Sequence, residues 1–155
     1  MLDMFRLSGA WYEVVSYKPR YDSLGSLMCL NTRSLYEYVS DRDEVDVMLQ
    51  CRRLDGKLSS VKAVMTCPPP QKMAPEVCSV RFPGAPYVPP SPIVIREVDY
   101  ESYSVVEGFD GSYAQVFSRY ARPGRTFVEQ AIDKLVKLGY DPRDIHETPV
   151  TQGEP

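Results

Sequence analysis

Between Gly9 and Arg119 the apolar residues recur at every second position in short β-branched and aromatic runs, and then, in one stretch only, they switch to helical spacing. Period two means that alternate side chains point to opposite faces of an extended strand, so this pattern asks for half-buried β-structure. The runs predict strands over 9–17, 30–39, 45–51, 58–67, 78–82, 93–97, 103–107 and 113–119. Short turns such as Asp41-Arg42-Asp43, Asp55-Gly56 and Asp110-Gly111 separate them, which suits an antiparallel meander. The helical stretch, 125–138, puts Phe127, Val128, Ala131, Ile132, Leu135 and Val136 on one face and Glu129, Asp133, Lys134 and Lys137 on the other. Thr126 with Glu129 reads as a capping box, and Gly139 followed by Pro142 reads as the stop. Residues 144–150 predict a short ninth strand.

Eight antiparallel strands and one late helix leave a Greek-key sandwich or an up-and-down barrel, and the regular hairpins favour the barrel. The expected fold is all-β: an eight-stranded antiparallel barrel with one C-terminal helix packed on its outside. A barrel of eight strands is about the size at which the interior is filled by side chains or holds one small ligand. At 155 residues there is room for a single core, so 1–150 is expected to be one domain and 151–155 a disordered tail.

Several function classes are disfavoured at once. The net charge is -3 and the longest basic clusters are pairs such as Arg52-Arg53, so no footprint for nucleic acid is present. No apolar run reaches the roughly 18–20 residues of a membrane-spanning helix, and the first six residues lack the apolar segment of a signal peptide. As written, the chain is expected to be cytoplasmic or peripheral to a membrane, or extracytoplasmic if a leader has been removed. A single histidine, His146, and four cysteines without a C-x-x-C pair predict neither a metal site nor a cofactor. No Ser-His-Asp or Cys-His set is recognisable, so the chain is not expected to be an enzyme.

Cys67 and Cys78 fall at the facing ends of the fourth and fifth strands, where a disulfide could close. Cys29 and Cys51 look like poorer partners, because alternation sends them to opposite faces. Nine of the 14 prolines lie between Pro68 and Pro92. Both proline-rich loops, 68–75 and 83–92, are expected on one rim, as a lid, a membrane-touching lip or plain connections.

Gly9-Ala10-Trp11-Tyr12-Glu13-Val14 resembles the G-x-W-Y-E opening of lipocalins, and Ser112 to Arg119 resembles the late-strand motif of the same family, which ends in Ser-Arg ahead of the helix. The two motifs stand in the right order at the two ends of the strand region. Asn31 to Tyr36, Tyr87-Val88-Pro89-Pro90 and Gly139 to Pro149 are similar to the branch that holds the bacterial outer-membrane lipocalin, apolipoprotein D and the plant temperature-induced lipocalins. Gln115 departs from that branch, which often carries Trp there.

The resemblance implies carriage or scavenging of a small hydrophobic ligand, such as a fatty acid or lysophospholipid, in the barrel. It also implies a floor made of Gly9, Trp11 and Arg119, with the guanidinium on the indole as a structural plug. If Trp11 faces inward, Glu13 and Val15 share its face. The register of the family turns Ser34, Tyr36 and Tyr38 inward, with Val45, Val47 and Leu49, and then Gln115 and Phe117. On the fourth strand, alternation favours Val61, Ala63 and Met65 while the family register favours Lys62 and Val64, and the choice stays open. Glu13 is expected to need a buried partner, from a ligand or from the wall. Two other readings compete: an enzyme of the same fold, using Glu13 and Tyr36 on a lipophilic substrate, and a module whose rim contacts a membrane or a protein. The latter includes peripheral membrane contact through the 68–92 loops.

Overall fold

The computed structural model describes residues 2–17, 29–68 and 76–150. A one-turn helix α1 (Met4–Leu7) leads into eight strands, β1 (Gly9–Tyr17), β2 (Cys29–Val39), β3 (Glu44–Arg53), β4 (Leu58–Thr66), β5 (Glu76–Arg81), β6 (Ser91–Asp99), β7 (Tyr103–Gly108) and β8 (Ala114–Ser118). Helix α2 (Arg125–Lys137), a 3₁₀ turn (Pro142–Asp144) and β9 (Ile145–Glu147) follow. Each strand pairs antiparallel with the next, β8 returns to β1, and β1 pairs with β2, so the sheet closes into an eight-stranded up-and-down barrel. The tail, 151–155, and most of the first proline-rich loop lie outside the described residues.

Alternation fixes which loops share an end. The connections after β2, β4 and β6 join strands at the end where β1 begins, and those after β1, β3, β5 and β7 lie at the other. β4 ends and β5 begins at the end closed by α1, while the described 82–90 connection lies at the opposite mouth.

Two apolar clusters result. Leu7, Trp11, Val45, Val47, Ala63, Met65, Ile93, Ile95, Val106 and Phe117 fill the barrel interior. Val14, Val15, Val105, Ala114 and Val116 face outward and are covered by Ala131 and Leu135 of α2. The helix ends as expected: the Tyr140 N–H donates to the Leu135 carbonyl and the Gly139 N–H to Val136, the paired bonds of a Schellman stop. Its start differs. Gly124 is the N-cap and no side chain caps it, while Glu129 lies 3.6 Å from Arg125. With the first turn set at Arg125, Thr126 is already inside the helix and the capping box does not form. Past the helix, the Tyr140 hydroxyl donates to buried Glu107, which also pairs with Arg96 at 2.5 Å, tying the end of α2 to the outer wall.

The barrel is not equally closed all round. The pairing of β4 with β5 spans three residue pairs, Val64–Thr66 against Ser79–Arg81. That seam is reinforced by a Cys67–Cys78 disulfide. An Arg81–Glu44 pair at 2.6 Å reaches across β4 to β3, with the Thr66 hydroxyl and Arg42 on the same carboxylate. Guanidinium and hydroxyl donors hold the Glu44 carboxyl down at about 2. Cys51 is also disulfide-bonded, which corrects the reading of it as a poor candidate. A distortion in β2 between Leu30 and Arg33, with Asn31 at a φ of 54°, breaks the alternation on which that reading relied.

Candidate functional site

The floor is built first. Gly9 has a φ of +113°, and a Cβ there would stand 2.9 Å from Arg119 Nη1, so both backbone and space require glycine. The Arg119 guanidinium lies 3.7 Å from the centre of the Trp11 ring. Its Nε donates to the Tyr100 carbonyl, Nη1 to Ala10 and Nη2 to Arg6. Burial pulls this group down from its ordinary value while the nearby Tyr36 phenol acts the other way. Arginine nevertheless stays charged in proteins. The Trp11 Nε1–H donates to the Leu7 carbonyl at 2.8 Å, so α1 is bolted under the floor.

Above the floor is a cavity of about 570 Å³. That lies within the roughly 300–1,000 Å³ usual for small-molecule sites. Glu13, Ser34, Tyr36, Val47, Leu49, Gln115 and Phe117 line it, as do Val61, Ala63 and Met65. On β4 the apolar alternation therefore holds, and Lys62 and Val64 are not among the lining residues. Val15 and Tyr38 depart from expectation. In β1 the register against β8 slips between Glu13 and Val15, so one extra residue turns Val15 out against α2. Tyr38 sits below the cavity, its hydroxyl on Asp43 at 2.8 Å and its ring 6.1 Å from Phe5.

Other lining residues went unnamed in the sequence: Val80, Phe82, Ile93, Val106 and Tyr113. For Tyr113 the signal was present, since alternation on β8 places it with Gln115 and Phe117. Its ring is accommodated by Gly108, where a Cβ would stand 2.6 Å from it.

Glu13 is two residues above Trp11, about 7 Å at strand rise. One of its oxygens accepts from Gln115 Nε2 at 2.6 Å and the other from the Thr148 hydroxyl at 2.7 Å. Thr148 follows β9, which pairs with Val15 to Tyr17 where β1 has parted from β2. The chain's end thus completes the wall there and meets the buried carboxyl. No periodicity could have predicted this contact across 135 residues. Tyr36 is pushed up to about 12 by burial, and the nearby Tyr113 adds to this. Burial also raises Tyr113, with Asp110 adding to it. Both phenols therefore stay protonated near neutrality. His146 is exposed on β9, outside the barrel. Among the described residues there is no cluster of three metal-ligating side chains.

A family model described as a lipocalin-like domain matches residues 2–150. A chloroplastic lipocalin of Arabidopsis thaliana is 30% identical over 162 residues, covering 95% of this chain and 46% of that protein. The chain thus spans about half the length of this curated relative. Among solved structures, apocrustacyanin C2 superposes with a TM-score of 0.70 at 17% identity, covering 97% of this chain and 81% of that one. The siderocalin Ex-FABP, described as having dual ligand specificities, gives 0.68 at 14% identity, covering 96% and 97%.

Proposed function

This chain belongs to the lipocalin family, whose members bind small hydrophobic molecules and are generally not enzymes, and from that premise we propose that it carries or scavenges a lipid such as a fatty acid or lysophospholipid. The observation that carries this reading is the 570 Å³ cavity, whose surface is mostly apolar, walled by Val47, Ala63, Met65, Ile93, Val106 and Phe117, with Arg33, Gln50 and several hydroxyls also in its lining. An apolar chain gains by burial at about 25 cal/mol per Å² of surface removed from water. Titration against a displaceable fluorescent fatty acid tests it. Saturable displacement by single-chain lipids is expected, and none by any lipid class overturns it. The disulfide-bonded cysteines support an oxidising compartment.

A second reading, peripheral membrane contact, rests on the exposed apolar residues Leu54, Tyr87, Val88 and Phe109 on three loops around the mouth, with Leu58 at the start of β4. The contact would be made by the mouth loops, the 82–90 connection among them, and not by the whole 68–92 stretch. Flotation with anionic liposomes, with and without Leu54→Ser, Tyr87→Ser and Phe109→Ser, tests it. Unchanged flotation removes it.

A further inference from the structure

The cavity carries several polar groups, and they differ in what they can exchange with a ligand. Thr32, Ser34, Ser59 and Ser91 present hydroxyls, as do Tyr36 and Tyr113, and a hydroxyl donates and accepts alike. Arg33 can only donate, and its Nε is engaged with Gln50 Oε1 at 2.9 Å. Glu13 is the one carboxyl group among the described lining residues, and an ionised carboxylate can only accept. Its demand on a ligand is therefore the least ambiguous: it takes a donor and repels another anion.

Alternation on β8 turns Ala114 and Val116 out against α2, and Gln115 and Phe117 in. Gln115 Nε2 donates to one Glu13 oxygen at 2.6 Å, and the Thr148 hydroxyl donates to the other at 2.7 Å. A carboxylate has about four lone-pair sites, so these two donors leave about half of its accepting capacity unused. Glu13 is 8% exposed and makes no ion pair among the described residues. An amide beside a carboxylate has to present its NH₂, since two oxygens would repel each other. That leaves Gln115 Oε1 without a donor among the described residues, yet no buried side-chain oxygen there lacks a partner. Oε1 is therefore open to the cavity that Gln115 lines. Two acceptors thus stand side by side on the inner wall, between the Trp11 floor and the mouth.

We infer that Glu13 and Gln115 form an acceptor site for a hydroxyl or protonated amine of the ligand, so that the cavity selects a lipid alcohol or long-chain amine over the corresponding fatty acid. This deepens the carrier reading and rests on it. A ligand that fills the cavity strips water from the unused lone pairs of Glu13, and it must replace those hydrogen bonds or leave a charge poorly solvated. An O–H or N–H donor replaces them. A hydrocarbon or an ether does not, and a carboxylate adds a like charge within mostly apolar walls, where repulsion is strongest. Gln115 and Thr148 hold the carboxyl from two sides, so its orientation is set before the ligand arrives. The ambivalent hydroxyls elsewhere in the lining can serve donors and acceptors equally and so do not cancel this preference.

The test uses five molecules of equal chain length at neutral pH: an alkane, an alkyl methyl ether, a primary alcohol, a protonated primary amine and an ionised fatty acid. Each competes with the same uncharged fluorescent probe on the native protein and on Glu13→Gln. On the native protein the alcohol or the amine is expected to bind at least about tenfold more tightly than the alkane, the ether and the acid, the scale of one hydrogen bond to a charged group. The tighter of the two identifies the donor. Glu13→Gln keeps the shape of the side chain and removes its charge. It is expected to lower affinity for that donor by about tenfold while leaving the alkane unchanged. An alkane, ether or acid that binds the native protein as tightly as the better donor overturns the inference and leaves the carrier reading standing. So does an equal loss for all five in Glu13→Gln, which would mark the carboxyl as structural. If the variant fails to fold, the series on the native protein decides alone. Failure of all five to bind overturns the carrier reading, and this inference with it.

Discussion

The two ends of the barrel use the same residue types for opposite ends. At the closed end the aromatic Trp11 is 1% exposed, covered by a guanidinium whose three nitrogens each donate to a backbone carbonyl, in α1, β1 and the β6–β7 turn. At the mouth, Tyr87 is 85% and Phe109 63% exposed, and the exposed Leu54 lies with them. The difference teaches that stability and access are separated along the barrel axis. Contacts that tie distant parts of the chain together collect at the floor, while the mouth is left with apolar surface that nothing in the described residues covers.

The sharpest way to break this comparison is at the floor. Trp11→Ala should cost about 3–5 kcal/mol, the usual range for truncating a buried large aromatic, measured by urea unfolding followed by circular dichroism. A loss below 1 kcal/mol would contradict the floor's role. Opening the Cys67–Cys78 bridge with Cys67→Ala and Cys78→Ala should cost about 3 kcal/mol, as expected for a loop of this size. The loss should appear in the same unfolding transition, because the three-pair seam between β4 and β5 has little else to hold it.

Smaller effects sharpen the picture. Thr148→Val leaves one oxygen of buried Glu13 without a donor and should cost about 1–3 kcal/mol. An unchanged urea midpoint would mean that the C-terminal segment does not complete the wall. Glu44 gives a pH signature on the outer face. Its pKa is depressed in the folded protein, so its stabilising contribution is full above the ordinary carboxylate range and is lost as pH falls toward about 2. The urea midpoint of Glu44→Gln should therefore trail that of the native protein near neutral pH and converge with it in acid. Least of all, Leu54→Ser, Tyr87→Ser or Phe109→Ser should move stability by no more than about 0.5 kcal/mol each. A larger loss would show the mouth to be part of the core.

Much of the site was legible because a strand's side-chain period is two, so one correct inward residue fixes its neighbours. Trp11 predicts Glu13, and Gln115 predicts Phe117. The rule fails where the backbone gains a residue. Val15 is lost from the cavity at the β1 irregularity, and Cys51 was misjudged because β2 is distorted around Asn31. Tyr38 faces inward but too far down, since alternation assigns a face and not a depth. The capping box failed for a related reason: Thr126 and Glu129 have the right spacing, but the start of α2 is set elsewhere.

The sequence alone determined the eight barrel strands, their order, their antiparallel meander and the helix that covers one wall, because periodicity and turn chemistry are local and the chain carries them in consecutive residues. Tertiary structure decided what depends on closure. It put the 82–90 connection at the mouth, brought Thr148 to Glu13, and seated Arg119 between Gly9 and Trp11 on carbonyls far away in the chain. Those outcomes follow from which strand meets which around the barrel, and a one-dimensional pattern holds no distance between residues that meet only when the barrel closes.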